Sequence, residues 1–308
     1  MLLTLALSIH SFSAQSFREV PELKKSFADA GVAGTFVLFD AATDTMLVWD
    51  EARAKKRFTP ASTFKIANSL IGLDVGAVKD VDQVLPYGGK PQPRKEWEHD
   101  MSLRDAIKIS NVPIYQELAR RIGIERMREG VRKLGYGNME IGDVVDRFWL
   151  VGPLAISAVE QTQFLDRLNK GSLPVDAKAV RAVKEITLLE KTDTYELHGK
   201  IGWFVGPTPP EIGWWVGWIA RENKVYLFAL NFDIQTNADA DKRIPLGREC
   251  LKALQALTDH RSTQCRVNEM PIAARARVLN LKSSFLPVRI ARGARTSGLP
   301  ASSAAYDT

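Results

Sequence analysis

The chain of 308 residues has little cysteine and little histidine, with two Cys and four His. Two thiols, Cys250 and Cys265, are too few for a disulfide framework, and together with so few histidines they show no metal-ligand spacing. We therefore expect buried or inert thiols and no metal site.

Long apolar runs and several common motifs are also absent. No stretch of about 18 apolar residues occurs, so we expect no transmembrane helix and no membrane anchor. The chain has no internal repeat and lacks the glycine-rich and serine-elbow motifs of dinucleotide, nucleoside-triphosphate and α/β-hydrolase sites. A composition of 45% apolar and 25% charged residues excludes collagen, coiled coil and wholesale disorder.

The net charge of +6 comes from one end of the chain. Residues 260–308 hold eight basic and two acidic residues, which leaves 34 of each sign in residues 1–259. Because the body is neutral, the charge does not indicate a nucleic-acid partner.

The two ends of the chain differ from the body. Residues 1–14 carry a short apolar run followed by small residues, which is typical of a signal-peptide remnant; a short buried first helix is the alternative. Residues 259–308 are basic and of low complexity, which predicts a disordered tail. The predicted folded domain is therefore residues 15–258.

Within that domain, strand patterns lie at both ends and helix patterns lie between them. A hairpin is predicted over 34–49 after a helix near 21–30, and a final helix follows the last strands. The predicted later elements are a helix over 177–189, strands over 195–205, 213–221 and 224–233, and a helix over 243–257. This order predicts an α+β fold, in which one antiparallel sheet is built from both chain ends, terminal helices pack on it, and a mainly helical lobe is inserted. A ligand cleft is expected between the sheet and that lobe.

The run Ser62-Thr-Phe-Lys65 is a candidate nucleophile site at the start of the most apolar predicted helix. Residues three apart share a helix face, so the Lys65 amine can reach the Ser62 hydroxyl and activate it without histidine. The same spacing also arises by chance, with Ser62 serving only as a helix cap.

Three further short motifs follow in order along the chain. Ser110-Asn-Val112 lies between two predicted helices, Tyr136-Gly137-Asn138 follows a helix end, and Lys200-Ile201-Gly202 lies in a strand. Taken singly, they read as a turn serine, a helix stop and a surface lysine. Their order and spacing together are much harder to obtain by accident.

These motifs, together with Phe148-Trp149-Leu150 and the run from Gly213 to Trp218, resemble the class D serine β-lactamases. The resemblance covers roughly Phe27 to Leu257 and implies the penicillin-recognising, transpeptidase-like fold. It also implies export to the periplasm of a Gram-negative bacterium, a small β-lactam substrate, and a monomer or homodimer.

The resemblance implies a role for each matching residue. Ser62 would be acylated by the β-lactam, Ser110 would pass a proton to the leaving nitrogen, and Lys200 would assist as a positive charge. The backbone N–H groups of Ser62 and Trp203 would form the oxyanion hole. The residues expected to contact substrate are Met101, Val112, Leu150, Ile201, Gly202 and Arg243, the last through a bidentate bond to the substrate carboxylate.

For Lys65 the resemblance implies a modified side chain, N6-carboxylysine, formed with carbon dioxide or bicarbonate and requiring no other cofactor. Carbamylation needs a neutral amine, which a dry pocket favours. Phe64, Val112, Trp149 and Leu150 would keep the pocket dry, and the Trp149 indole would donate to the carbamate.

One position departs from the family pattern, because Ile201 stands where Ser or Thr is expected between Lys200 and Gly202. A lost hydrogen bond to a carboxylate costs about 1.5–3 kcal/mol, so the substrate profile is left open. Three alternatives remain: a β-lactam sensor that is acylated without turnover, a D,D-peptidase, and an inactive homologue.

Overall fold

The computed structural model describes residues 16–207 and 209–257. The predicted signal-peptide remnant and tail lie outside the described residues. So does Cys265, whereas Cys250 is buried and its pKa is raised by that burial, as expected of an inert thiol.

One seven-stranded sheet forms the body of the fold. Its strands are β1 Ser16–Glu19, β2 Gly34–Asp40, β3 Thr45–Trp49, β4 Leu188–Lys191, β5 Glu196–Phe204, β6 Glu211–Arg221 and β7 Lys224–Ile234. They are ordered β1-β3-β2-β7-β6-β5-β4, so strands from both ends of the domain meet at the centre. All neighbours are antiparallel except β1 and β3, which are parallel. The predicted α+β class and sheet are confirmed.

Ten α-helices surround this sheet in the described part of the chain. They are α1 Lys24–Ala30, α2 Glu51–Lys55, α3 Lys65–Asp74, α4 Leu103–Lys108, α5 Val112–Ile122, α6 Ile124–Leu134, α7 Phe148–Val151, α8 Ala158–Lys170, α9 Ala177–Ile186 and α10 Arg243–Ala253. Short 3-10 helices span Pro21–Leu23, Ala61–Phe64, Lys95–Trp97 and Asn237–Lys242. No helix within the described residues is both long enough and apolar enough to cross a bilayer.

The two sheet faces bury separate apolar clusters. One face is covered by α1 and α10, which place Phe27 and Leu251 against Phe36 and Leu230. The other face packs on the inserted helical lobe, with α3 at its centre. Lys65 to Gly72 of α3 are all buried, which explains why this is the most apolar helix of the sequence.

The helix predicted over 177–189 is too long. It ends at Ile186, because the Thr187 hydroxyl turns back and donates to the carbonyl of Val183 at 2.8 Å. Leu188–Lys191 then forms β4 at the edge of the sheet, paired with β5. The final helix is also shorter than predicted and ends at Ala253.

Candidate active site

The Ser62 hydroxyl lies in the 3-10 turn that leads into α3. Ala61, just before it, has a φ of 49°, a left-handed conformation that a side chain makes unfavourable. Two hydrogen bonds of the buried Thr63 hydroxyl stabilise this turn. The hydroxyl donates to the carbonyl of Pro60 at 2.8 Å and accepts from Gln161 Nε2 at 2.9 Å. Packing therefore holds Ser62 in a strained turn, with its side chain partly exposed.

Lys65 begins the α-helix one turn later and is fully buried. Its Nζ donates to Ser62 Oγ at 2.8 Å and lies 5.2 Å from the centre of the Tyr115 ring. Burial, and secondarily the charge of Lys200, hold the pKa of Lys65 well below its usual value of 10.5. This depression of the pKa favours the neutral form of the amine, which can accept a proton.

A cluster of aromatic rings packs against the nucleophile turn through Phe64, the residue before Lys65. The Phe64 ring lies 5.6 Å from that of Trp149, 5.1 Å from that of Phe148 and 5.4 Å from that of Tyr136, measured between centroids. Trp149 is fully buried, and its indole Nε1 has no hydrogen-bond partner within the described residues. An unpaired buried N–H is costly, so this donor is available to a group that binds beside it.

The Tyr136-Gly137-Asn138 motif holds the segment that carries Trp149. The Asn138 side chain donates to the carbonyl of Pro153 at 3.0 Å and accepts from the backbone N–H of Ala155 at 3.0 Å. Gly137 has a φ of 57°, and a Cβ there would lie 2.2 Å from the Ala155 carbonyl oxygen. The structure therefore gives this motif a positioning role on the loop that follows α7.

Ser110 and Lys200 meet on the far side of the nucleophile turn. Ser110 adopts a left-handed φ of 58°, between α4 and α5, and its Oγ accepts from Lys200 Nζ at 3.0 Å. Lys200 is 5% exposed and also donates to the Ile201 carbonyl at 3.2 Å. Burial, followed by the charges of Arg243 and Arg94, lowers the pKa of Lys200 to about 7. Lys200 thus carries a positive charge only up to about neutral pH.

Strand β5 passes close to the nucleophile turn at Gly202. A Cβ at Gly202 would lie 2.9 Å from the carbonyl oxygen of Pro60, so no larger residue fits without displacing the turn. This close approach brings the backbone after Gly202, at Trp203, next to the turn of Ser62. The Trp203 indole N–H already has a partner, because it donates to the Glu211 carboxylate.

Arg243 begins α10 and reaches back to the same strand. Its Nη1 donates to the Gly202 carbonyl at 3.1 Å, and its guanidinium carbon lies 5.6 Å from the Trp203 ring centre. Ile201 packs with Trp203 on the apolar cluster covered by α10. A branched apolar side chain therefore occupies the position beside Arg243 where a hydroxyl was expected.

The remaining predicted contact residues lie around these groups. Val112, Leu150 and Met101 are each half-buried, and the Met101 Sδ accepts from Asn111 Nδ2 at 3.4 Å. The sequence reasoning did not single out Tyr115, although its ring lies beside Lys65 and its hydroxyl is 3.0 Å from Ser69 Oγ. An apolar helix carrying the polar residues Asn68 and Ser69 was the available signal for this buried polar contact.

A metal centre finds no support in the described residues, where no group of three His, Cys, Asp or Glu side chains comes together. The candidate site contains two pairs of a serine hydroxyl and a buried lysine, Ser62 with Lys65 and Ser110 with Lys200. That arrangement suits acyl transfer to a serine.

The chain is similar to known proteins over the same region. The penicillin binding protein transpeptidase domain matches residues 34–252. Beta-lactamase OXA-10 of Pseudomonas aeruginosa is 41% identical over 235 residues, which cover 76% of this chain and 87% of the relative. Beta-lactamase OXA-48 of Klebsiella pneumoniae is 38% identical over 239 residues, which cover 78% and 90%.

A solved structure shows the same relationship. The crystal structure of FUS-1 (OXA-85), a class D beta-lactamase from Fusobacterium nucleatum subsp. polymorphum, is 45% identical, with a TM-score of 0.76, and the match covers 78% of this chain and 100% of that one. The scaffold and the serine-lysine pair together define a member of the penicillin-binding transpeptidase fold. Within it the chain belongs to the class D β-lactamases, a family of hydrolases, as the sequence motifs predicted.

Proposed function

We propose that the chain hydrolyses penicillin-type β-lactams through an acyl-enzyme on Ser62, with Lys65 as the site of the general base. The observation that carries this proposal is the 2.8 Å hydrogen bond to the Ser62 hydroxyl from a fully buried Lys65 amine, whose pKa burial holds well below its usual value. A neutral base in contact with a hydroxyl is what serine activation requires.

In the acylation step, the base at Lys65 takes the Ser62 proton while Ser62 Oγ bonds to the lactam carbonyl carbon. The backbone N–H groups of Ser62 and Trp203 stabilise the resulting oxyanion. The carbon–nitrogen bond of the ring then breaks, and Ser110, in contact with Lys200, donates a proton to the leaving nitrogen. The proton taken from Ser62 passes on to Ser110, so the base at Lys65 is free again for deacylation. Arg243 binds the substrate carboxylate, with Gly202 allowing the close approach of β5.

Deacylation repeats these steps with water as the nucleophile. The base at Lys65 takes a proton from water, whose oxygen bonds to the ester carbon, and Ser62 leaves with a proton returned to its oxygen. The product is the ring-opened acid, and the free enzyme is restored.

We also propose that Lys65 is carbamylated. Carbon dioxide adds to a neutral lysine amine, and the carbamate supplies an anionic base. The pocket fits this group on two counts: burial lowers the pKa of the Lys65 amine and so favours its neutral form, and Trp149 Nε1 is a buried donor without a partner among the described residues. No cofactor beyond carbon dioxide or bicarbonate is needed for this chemistry.

Export to the periplasm, a monomeric or homodimeric state and removal of residues 1–14 remain part of this proposal. So does a tail at 259–308 that takes no part in catalysis. Truncation after Asp259 is expected to leave penicillin hydrolysis unchanged.

Intact-protein mass spectrometry after mixing with benzylpenicillin, sampled from seconds to hours, tests the function. We expect a penicilloyl adduct that appears and then vanishes as the drug is consumed. It should be absent in Ser62→Ala and present in Ser172→Ala, a control at an exposed serine. A persistent adduct would support a sensor or a D,D-peptidase, and no adduct would support an inactive homologue.

A further inference from the structure

A buried series of hydrogen bonds joins the nucleophile turn to α8 and to the residue Tyr136, which follows α6. The Tyr136 hydroxyl donates to Gln161 Oε1 at 3.4 Å, and Gln161 Nε2 donates to Thr63 Oγ1 at 2.9 Å. The Thr63 hydroxyl in turn donates to the Pro60 carbonyl at 2.8 Å. The three side chains are at most 1% exposed. The mechanism proposed above gives Gln161 no role.

The direction of every hydrogen bond in this series is fixed by its Pro60 end. A backbone carbonyl only accepts, so the Thr63 hydroxyl uses its one proton there and can only accept from Gln161. The Gln161 amide therefore presents its nitrogen to Thr63 and its oxygen to Tyr136, which must donate. Burial raises the pKa of Tyr136, so its hydroxyl keeps the proton that this arrangement requires.

The backbone that carries Gln161 is itself tied to the nucleophile segment. Gln161 lies in the first turn of α8, which a full capping box at Ser157 opens. Just before that cap, Ile156 exchanges two backbone hydrogen bonds of 2.9 Å with Phe58, which precedes the nucleophile turn. The Gln161 amide therefore approaches Thr63 from a fixed direction.

The Pro60 carbonyl lies where the chain enters the left-handed residue Ala61. It accepts two hydrogen bonds from Thr63, one from the hydroxyl and one from the backbone N–H at 3.2 Å, and its oxygen lies against Gly202 of β5. A left-handed φ is unfavourable for a residue with a side chain, so Ala61 would relax if this carbonyl were released. That relaxation would rotate the next peptide, which carries the Ser62 N–H.

We propose that Gln161 is a positioning residue that acts through Thr63 to keep the Ser62 backbone N–H directed at the oxyanion. This inference rests on the proposed function, because it concerns the oxyanion hole of the same site. An oxyanion forms in both acylation and deacylation. Loss of the Gln161 amide is therefore expected to slow both steps by a similar factor, which lowers kcat and leaves KM nearly unchanged.

The first test replaces the Gln161 amide by an apolar group of similar length. Gln161→Met is expected to lower kcat for benzylpenicillin about tenfold, with KM within about twofold. Gln163→Met makes the same change at an exposed position of the same helix and is the matched control, expected to keep the rate of the unaltered chain. Thr63→Val should reproduce the loss, and Thr63→Ser, which keeps the hydroxyl, should restore most of the rate.

A double-mutant cycle separates positioning of the turn from a general loss of packing. Gln161→Met and Thr63→Val combined should lose no more in kcat than the larger single loss, because both side chains act through one carbonyl. Additive losses in kcat overturn the proposal, and so does a loss of stability in Gln161→Met with kcat unchanged. If Gln161→Met does not fold, Tyr136→Phe takes its place in the cycle, with an expected loss of about threefold.

A failure of the proposed function would be recognised separately, because the unaltered chain would then not hydrolyse benzylpenicillin. The positioning role is in that case tested with phenylboronic acid, whose boron bonds to a serine oxygen and forms a tetrahedral anion. Its dissociation constant should rise about tenfold in Gln161→Met and stay unchanged in Gln163→Met. No binding to the unaltered chain, or an equal constant in Gln161→Met, would contradict the proposal.

Discussion

Lys65 in the helical lobe and Lys200 on strand β5 are both buried lysines that contact a serine hydroxyl, yet their surroundings differ. Lys65 lies beside the Tyr115 ring, and its one hydrogen-bond partner in the described structure is Ser62. Lys200 has both Ser110 and a backbone carbonyl as acceptors. Burial lowers the pKa of Lys200 to about 7 and holds that of Lys65 well below its usual value.

The comparison shows how one residue type can serve as a base and as a cation in a single site. Burial disfavours the charged form of both lysines, and Lys200 has a second acceptor, the Ile201 carbonyl, that preserves part of its charge. The difference in charge between the two amines is thus set by the residues that surround each of them.

Removing the Lys65 amine should have the largest effect on penicillin turnover. Lys65→Met keeps the length and apolar character of the side chain but removes the base, so we expect penicillin turnover to fall by at least about a thousandfold. Steady-state hydrolysis and single-turnover acylation should both show this loss. Lys200→Met is the matched comparison, and an equal loss of turnover in the two variants would mean that the lysines do not have separate roles.

The same substitution should stabilise the fold. The pKa of Lys65 is depressed in the folded chain and ordinary in the unfolded chain, so below about pH 10.5 the unfolded chain binds a proton that the folded chain does not. The free energy of unfolding therefore falls as pH drops from 10.5 toward the folded pKa. Lys65→Met lacks this cost. In buffers stripped of carbon dioxide, where Lys65 carries no carbamate, denaturant titrations at pH 7 and pH 10 should show a gain of about 1–3 kcal/mol in the free energy of unfolding that is larger at pH 7.

The unpaired indole N–H of Trp149 offers a test of the role given to that residue beside Lys65. Trp149→Phe keeps an aromatic ring and removes only the Nε1 donor with part of the volume, and we expect deacylation to slow about tenfold to a hundredfold, more than acylation. Trp218→Phe, at a buried tryptophan stacked on His198, controls for the general cost of this replacement. Burst kinetics separate the two steps, and equal slowing of both would remove the role given to the indole.

The charge of Lys200 predicts a pH dependence. Because its pKa is about 7, Lys200 is protonated below that pH and neutral above it, so kcat/KM should decline as pH rises through about 7. Lys200→Arg keeps the charge at all these pH values and should remove this alkaline limb, even if it lowers the maximum. A limb that stays in place in the arginine variant would assign it to another group.

The smallest expected effect is at Ile201. Ile201→Thr supplies a hydroxyl beside Arg243 and should lower KM for penicillins about fivefold, with little change in kcat. The gain is limited because Ile201 gives up apolar contacts with the cluster under α10. Ile201→Val, which adds no hydroxyl, is the control, and an equal fall in KM there would show that side-chain size is responsible.

Much of the fold could be predicted because its strands alternate and its helices carry caps. A full capping box at Ser157 opens α8 and a left-handed Gly135 ends α6, and both are signals that a sequence shows. The edge strand β4 was missed because its pattern continues that of α9, and only the Thr187 hydroxyl and pairing with β5 separate the two. The parallel pairing of β1 with β3 depends on long-range packing, which a local sequence pattern does not predict.

The contacts of the candidate site also differ in how far the sequence alone predicts them. Ser62 and Lys65 are close because a helix places residues three apart on one face, so their contact follows from sequence alone. The approach of Ser110 to Lys200 joins segments ninety residues apart and was expected only through the family resemblance.

The difference between the two lysines is tested most directly by carbon-13 NMR of the protein in labelled bicarbonate. We predict one carbamate resonance in the unaltered chain that is absent in Lys65→Met and retained in Lys200→Met, and that disappears as the pH is lowered. A spectrum with no carbamate signal, or a signal that survives the loss of Lys65, would contradict the assignment of the neutral, carbamylated amine to Lys65.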